Sequence, residues 1–389
     1  MSSDTHEAIS LAQGLIRCRS VTPQEGGALT FLESVLKPAG FACHRLTMTA
    51  PGTPDVENLY ARAGSSGPHL CFAGHTDVVP VGEEQAWRWP PFGAEIADGV
   101  LYGRGAVDMK GGIACFLAAA LDYMRGQGGL KRGSLSFLIT GDEEGPGING
   151  TDKVLAWMKE KGEVPDACVV GEPTSTNAVG DEIKIGRRGS VNATLVVHGK
   201  QGHAAYAHLA DNPVPKLARI IDRLSSTPLD AGTAKFQPSQ VQVTIISVPN
   251  AATNVIPASA RANVNIRYND LHTRAQVEAW VQANCAAAAK EMGAQFTLSF
   301  AGSHNAFLTE PGPLVETLQK AVQAVTGRAA ALTTNGGASD AAFIYKYCPV
   351  IELGLRNATA HQVDEHVPVA DLEVLTRIYR RFIEDYFAA

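Results

Sequence analysis

Two rhythms of apolar residues divide the chain. Over residues 70–170, short apolar runs at 70–73, 134–140 and 167–170 alternate with stretches at 110–124 and 152–161, where apolar side chains recur at helical spacing. Such runs suit strands buried on both faces. Strands alternating with helices predict a largely parallel sheet with helices on either side. From residue 190 the rhythm changes. Residues 190–197 alternate as a strand, 213–224 read as a helix, 241–248 and 260–267 as strands, 273–292 as a long helix and 295–300 as a strand. That order, β-α-β-β-α-β, predicts a split βαβ or ferredoxin-like unit. The first rhythm then resumes with helices at 313–325 and 341–347, a strand at 350–353 and a helix at 371–387.

The expected fold class is therefore α/β. A mostly parallel-sheet domain formed by residues 1–188 and 301–389 is interrupted by a complete smaller domain at 189–300, with glycine-containing crossings at 179–189 and 301–304. One continuous sheet is the alternative, and it would have to be unusually wide. Length agrees with two domains, because 389 residues exceed one ordinary core.

Composition acts mainly by exclusion. With 45% hydrophobic and 19% charged residues the chain can bury a large core. A net charge of −6 and scattered basic residues leave no footprint for a nucleic-acid backbone. No uncharged apolar run approaches the roughly 20 residues of a membrane span. Residues 1–10 are polar, without the basic start and apolar core of a secretory leader. The cysteines (Cys18, Cys43, Cys71, Cys115, Cys168, Cys285 and Cys348) include no CxxC pair and mostly sit in apolar surroundings. Buried, reduced thiols in a cytoplasmic protein are expected.

In open α/β sheets, functional groups gather just past the carboxyl ends of strands. Here the strand at 70–74 runs into His75-Thr76-Asp77, that at 134–140 into Gly141-Asp142-Glu143-Glu144, and that at 167–171 into Glu172. Gly103-Arg104-Gly105 leads to Asp108 just before the helix at 110, and the strand at 350–354 leads through Asn357 to His361. Each has a plain structural use when taken singly. Asp108 could cap its helix, and Glu143-Glu144 could be a solvated turn. Their coincidence at one sheet edge changes the reading. Converging carboxylates repel one another and raise their own pKa values unless cations compensate them. Two divalent ions would do so. Mixed histidine and carboxylate ligands suit zinc, with cobalt or manganese fitting nearly as well. His75 and Asp77 stand two apart in an extended segment, so Asp77 can orient the imidazole. Glu143 and Glu144 are adjacent and point apart in an extended turn. One can bind metal while the other serves as general base toward water.

The strings Gly74-His75-Thr76-Asp77-Val78-Val79-Pro80, Gly103-Arg104-Gly105-Ala106-Val107-Asp108-Met109-Lys110-Gly111-Gly112, Asp142-Glu143-Glu144 and Gly171-Glu172-Pro173-Thr174 resemble the aminoacylase and carboxypeptidase family of dinuclear zinc hydrolases. They run in that family's order over nearly the whole chain. The resemblance implies Asp108 as bridging carboxylate between two zinc ions per subunit, with cobalt able to substitute. His75 and Glu172 would complete one metal site, and Glu144 and His361 the other. Glu143 would be the general base and Asp77 the partner of His75. The family places its last histidine four residues before a glutamate, which selects His361, with Glu365, over His366. His366 is expected to be an exposed non-ligand.

His203 matches a family histidine that reaches a partner subunit's active site and steadies the oxyanion, which implies a homodimer formed through the inserted domain. Arg187, Asn254 and Arg267 resemble groups that hold substrate carboxylates, which suits a small dicarboxylate amide. Arg188 is expected in salt bridging, and Trp87 and Trp89 in loop packing. Gly186-Arg187-Arg188-Gly189-Ser190, His208-Leu209-Ala210-Asp211-Asn212-Pro213, Asn254-Val255-Ile256-Pro257, Asn265-Ile266-Arg267-Tyr268 and Asn357-Ala358-Thr359-Ala360-His361 fit one branch of the family. Four positions depart from it in three places: Ala338 replaces threonine, Ala341-Ala342 replaces a Gly-Arg pair, and Ala207 replaces proline. The first two bear on the amino-acid end of the substrate. The expected activity is metal-dependent amide hydrolysis. Its rivals are a sister acyl-amino-acid hydrolase or carboxypeptidase, and a non-catalytic binding protein on the same fold.

Overall fold

The computed structural model describes residues 3–302 and 305–388. The end of the second expected crossing, Ser303 and His304, lies outside the described residues. The chain divides into two compact units, one of Met1–Ile185, Thr309–Thr333 and Ser339–Ala389, the other of Gly186–Leu308 and Thr334–Ala338.

The first unit is built on an eight-stranded sheet. Its spatial order is Ala42–Met48, Val56–Ala63, Ser134–Thr140, His69–His75, Ala167–Val170, Val350–Glu352, Glu182–Lys184 and Ala331–Thr333. The four central strands from Ser134–Thr140 to Val350–Glu352 are mutually parallel. Every residue of His69–His75 and Ser134–Thr140 is buried, which is why these strands read as unbroken runs instead of alternating ones. Helix Lys110–Gln127 seats Phe116 on Phe72 with ring centroids 4.4 Å apart, and Tyr379 of helix Val369–Ala388 meets Phe116 edge-on at 5.1 Å. Each such pair contributes about 0.5–1.5 kcal/mol beyond its buried area. This packing fixes helix Lys110–Gln127, and hence the segment carrying Asp108, against the sheet.

Several elements were not legible. Helices Ser3–Arg17 and Ala28–Leu36 and the antiparallel pair Ala42–Met48 and Val56–Ala63 precede the first predicted strand. The helix expected at 341–347 is one turn, Ala341–Ile344, continued by tight turns. The glycine-containing stretch 179–189 holds strand Glu182–Lys184, which pairs in parallel with Ala331–Thr333.

The second unit contains a four-stranded antiparallel sheet in the order Gln240–Ser247, Ser259–Tyr268, Gly189–His198, Gln295–Ala301. With helices Pro213–Ser226 and Arg274–Met292 between strands, this is the ferredoxin-like order. Val191, Leu195 and Val197 face Ile220, Val277 and Val281 in one core. Asn212 caps the first helix through Val214 N, and Thr273 and Gln276 form a capping box on the second. Gln240–Ser247 is an edge strand with Ile245 and Ile246 exposed.

Candidate active site

The sheet of the first unit ends in a cluster of acids and imidazoles. His75, the last residue of its strand, is buried, and its Nε2 lies 3.1 Å from Asp108 Oδ1 and 3.6 Å from Glu172 Oε1. His361 Nε2 lies 3.2 Å from the other Asp108 oxygen and 2.7 Å from Glu144 Oε1. One donor atom each from His75, Asp108 and Glu144 falls within a mutual 4.8 Å, as do those of His75, Glu143 and Glu172. All five expected ligands and Glu143 therefore meet. Glu143 stands as near Glu172 as a ligand would.

Asp108 does not cap its helix. Met109 occupies the N-cap position of Lys110–Gln127 without a side-chain cap bond, while the Asp108 carboxylate is held between the two histidines. Asp77 works differently from the expectation. The ring Nδ1 of His75 is 2.9 Å from the backbone carbonyl of Asp77. The Asp77 carboxylate instead accepts the backbone N–H groups of Glu143, at 3.3 Å, and Glu144, at 3.0 Å. One aspartate thus orients the imidazole through its carbonyl and the acidic turn through its side chain. Asp142 closes that turn by accepting N–H bonds from Ile148 and Asn149.

The electrostatics follow from the crowding. Burial and the neighbouring Glu172 push the Glu143 carboxyl well above the usual range, against a smaller opposing pull from His75. Burial alone would raise Asp108, but its bonds to His361 and His75 outweigh that and hold it far below the usual range. Burial would lower His75, and the Asp108 bond with the charges of Glu143 and Glu172 reverses it. Bonds to Asp108 and Glu144 push His361 up to about 10. Acids packed this tightly demand positive charge. The donor set of imidazoles and carboxylates fits a divalent ion such as zinc.

The sequence does not show what three charged residues do here. Arg104 and Glu365 are paired at 2.8 Å with both side chains buried. The available signal was an arginine between two glycines of positive φ, Gly103 and Gly105. Asp340 is buried and accepts a 2.6 Å bond from Thr151 Oγ1, with its carboxyl pushed by burial up to about 7. It lies 189 residues from Thr151, so no local pattern could find it. His366 is half-buried rather than exposed, in strand His366–Pro368 with its ring against Tyr102. Trp87 is buried, donates to Val81 O and lies 5.1 Å from the Arg104 guanidinium.

The remaining candidates are in the second unit. Arg187 is buried and donates to Gly337 O at 3.3 Å. Arg267 donates Nε to Asn265 Oδ1 at 3.1 Å, and its Nη1 is buried without a partner. Arg188 was expected to form a salt bridge. Among the described residues it makes none: its Nε and Nη1 are buried without partners, and the charge that acts on it nearby is another cation, Arg267. Asn254 is exposed, its carbonyl accepting from Ala204 N. His203 is exposed, and its Nδ1 accepts from Ala205 N at 3.1 Å, so its proton is on Nε2. All seven cysteines are free, and five are buried.

A histidine and carboxylate cluster at the carboxyl edge of a parallel sheet defines the class, a metal-binding hydrolase. Residues 71–385 match Peptidase family M20/M25/M40, and the chain belongs to that family. It is 54% identical over 386 residues to a Rhodopseudomonas palustris (strain TIE-1) protein named succinyl-diaminopimelate desuccinylase, covering 99% of this chain and 100% of that one. Among solved structures it is similar to the aminopeptidase PepT of Bacillus cereus, with a TM-score of 0.81, 21% identity and 98% of each chain covered. It is similar also to an M20 family metallo-carboxypeptidase of Sulfolobus solfataricus, with a TM-score of 0.80, 17% identity and 100% of each chain covered. No helix among the described residues is long and apolar enough to cross a membrane.

Proposed function

We propose that this chain hydrolyses the amide of N-succinyl-LL-2,6-diaminopimelate, releasing succinate and LL-2,6-diaminopimelate in cytoplasmic lysine and diaminopimelate synthesis. The observation that carries this reading is 54% identity along 99% of the chain to a desuccinylase. A site in which every expected ligand and the base come together supports it. His75 and Glu172 would hold one zinc ion, Glu144 and His361 a second, with Asp108 between them. When bound, such ions polarise an amide carbonyl and lower the pKa of a water.

The protein's own groups do the rest. Glu143, whose carboxylate stands within the same cluster as His75 and Glu172, takes the proton of the attacking water. Oxygen adds to the carbonyl carbon, the C–N bond breaks, and Glu143 returns that proton to the leaving nitrogen. His203, with its proton on Nε2, donates to the oxyanion in a neighbouring copy of the chain. The exposed edge strand Gln240–Ser247 supports pairing of two inserted units into a homodimer. Arg187, Asn254 and Arg267 bind the substrate carboxylates, and the unpartnered Nη1 of Arg267 favours an anionic group there.

Purified, zinc-loaded protein should be assayed on the succinylated diaminopimelate beside N-acetylornithine and simple acyl amino acids. The reading predicts a preference in kcat/KM of roughly 10²-fold or more. Equal rates on all of them would leave the family standing and remove the substrate.

A further inference from the structure

We infer that the buried Arg104–Glu365 pair is a positioning device that sets the His361 half of the metal site, holding both His361 and Asp108 from behind. The inference rests on the metal-binding reading proposed above. The pair lies out of water, with side chains 3% and 0% exposed. Buried ion pairs are weak devices for stability, because desolvation offsets their attraction. What this pair holds explains it better.

Glu365 Oε1 accepts the backbone N–H of Val107 at 2.9 Å and of Asp108 at 3.2 Å. Its backbone carbonyl accepts Gly103 N at 2.9 Å. Arg104 completes the bracket from the other side. Besides Glu365, it donates to Gln362 O at 3.2 Å, His361 O at 3.4 Å and Pro80 O at 3.3 Å. Only a guanidinium offers donors in a planar fork of that reach. The Trp87 ring covers it.

The loop needs such a clamp. His361 has φ 63° and Asp364 φ 57°, left-handed conformations that non-glycine residues adopt at a cost. Backbone carbonyls of the strained stretch are tied to Arg104, and the segment ending in Asp108 is tied to Glu365. The two tethered residues then meet, with His361 Nε2 3.2 Å from Asp108 Oδ2. Asp108 serves both halves of the site, but the bonds of Arg104 go to the backbone of the His361 loop, so the His361 half depends on the pair more heavily.

The experiment titrates chelator-stripped protein with Co2+, following visible absorption for geometry and calorimetry for stoichiometry. The parent is compared with the charge-free double variant Arg104→Met/Glu365→Gln, with Arg104→Lys, and with His361→Ala as the reference for a lost ligand. The double variant leaves no unpaired buried charge. Arg104→Lys keeps the charge and gives up the fork, so it reports if the double variant does not fold. The inference expects variants that fold to bind one equivalent nearly as the parent does. The second should bind about 10- to 100-fold more weakly, with a spectrum moved toward that of His361→Ala. A purely structural pair would lower Tm while leaving both equivalents and the spectrum as in the parent, and that result overturns the inference. A parent that takes up no second equivalent would instead remove the two-metal reading beneath it.

Discussion

Gly354 tests how closely the site depends on backbone packing. A Cβ placed there would stand 2.2 Å from Glu172 O and 2.6 Å from Gly171 O, where ordinary contacts begin near 3.4 Å. The shortfall is about 1 Å. The Gly354 strand end cannot simply retreat. Gly354 N donates to Thr174 Oγ1 at 3.1 Å, Ser175 Oγ donates to Gly354 O at 2.8 Å, and the Tyr379 hydroxyl holds Leu353 O. Part of the displacement must fall on Gly171 and Glu172, the proposed ligand whose Oε1 lies 3.6 Å from His75 Nε2. Gly354→Ala should cost about 1–3 kcal/mol of stability as overpacking. A ligand displaced by ~1 Å should lower kcat/KM about 10²-fold even at saturating zinc. Urea unfolding and steady-state kinetics measure the two effects. Gly126→Ala is the control: inside helix Lys110–Gln127 its Cβ would meet only Arg380 Nη2 at 3.9 Å, and it should gain about 0.5–1 kcal/mol. If Gly354→Ala matched the parent in urea midpoint and kcat/KM, the reasoning about this close approach would be refuted.

Other outcomes follow from the same site. Glu143→Gln should lower hydrolysis about 10²- to 10⁴-fold while metal stoichiometry stays that of the parent, and a variant as fast as the parent would overturn the base assignment. Asp77 and Asp340 carry carboxyls raised by burial to about 6 and about 7, so between pH ~4 and those values the folded chain binds more protons than the unfolded one. Stability of chelator-treated protein should therefore fall as pH rises through that window, and Asp340→Asn should flatten the fall between about 6 and 7. Urea midpoints that rise with pH there would contradict the assignment. Replacing residues 189–300 by a short linker should leave metal binding, measured by calorimetry, and abolish turnover, because His203, Asn254 and Arg267 go with it.

What was readable in the sequence shares a physical cause. Strands such as Ser134–Thr140 are buried on both faces and therefore appear as apolar runs, and the clustered acids and His75 stand at or directly after their ends. The inserted unit was readable because its strands alternate and its helices carry caps. Strand Ala42–Met48 was not, since its residues are all partly or fully exposed, which leaves little apolar signal. Strands Glu95–Ala97, Val100–Tyr102 and His366–Pro368 are three residues each, too short for periodicity to register. Within the site, local spacing picked out the residues that cluster but not the groups that support them. Arg104 and Glu365 meet across 261 residues of sequence, and only folding reveals that one is bonded to the His361 loop and the other to the Asp108 segment. Spacing places Asp77 beside His75, but which of its oxygens faces the ring is decided by the turn at Glu143 and Glu144.

The central claim is that desuccinylation depends on a two-ion centre built from His75, Asp108, Glu144, Glu172 and His361. Its most direct test measures succinate release from N-succinyl-LL-2,6-diaminopimelate while zinc is returned to chelator-stripped protein. Negligible release is expected without metal, with a rise that levels off by about two equivalents per chain, matching the His75–Glu172 and His361–Glu144 groupings that Asp108 joins. Release that is undiminished after the metal has been stripped would contradict it.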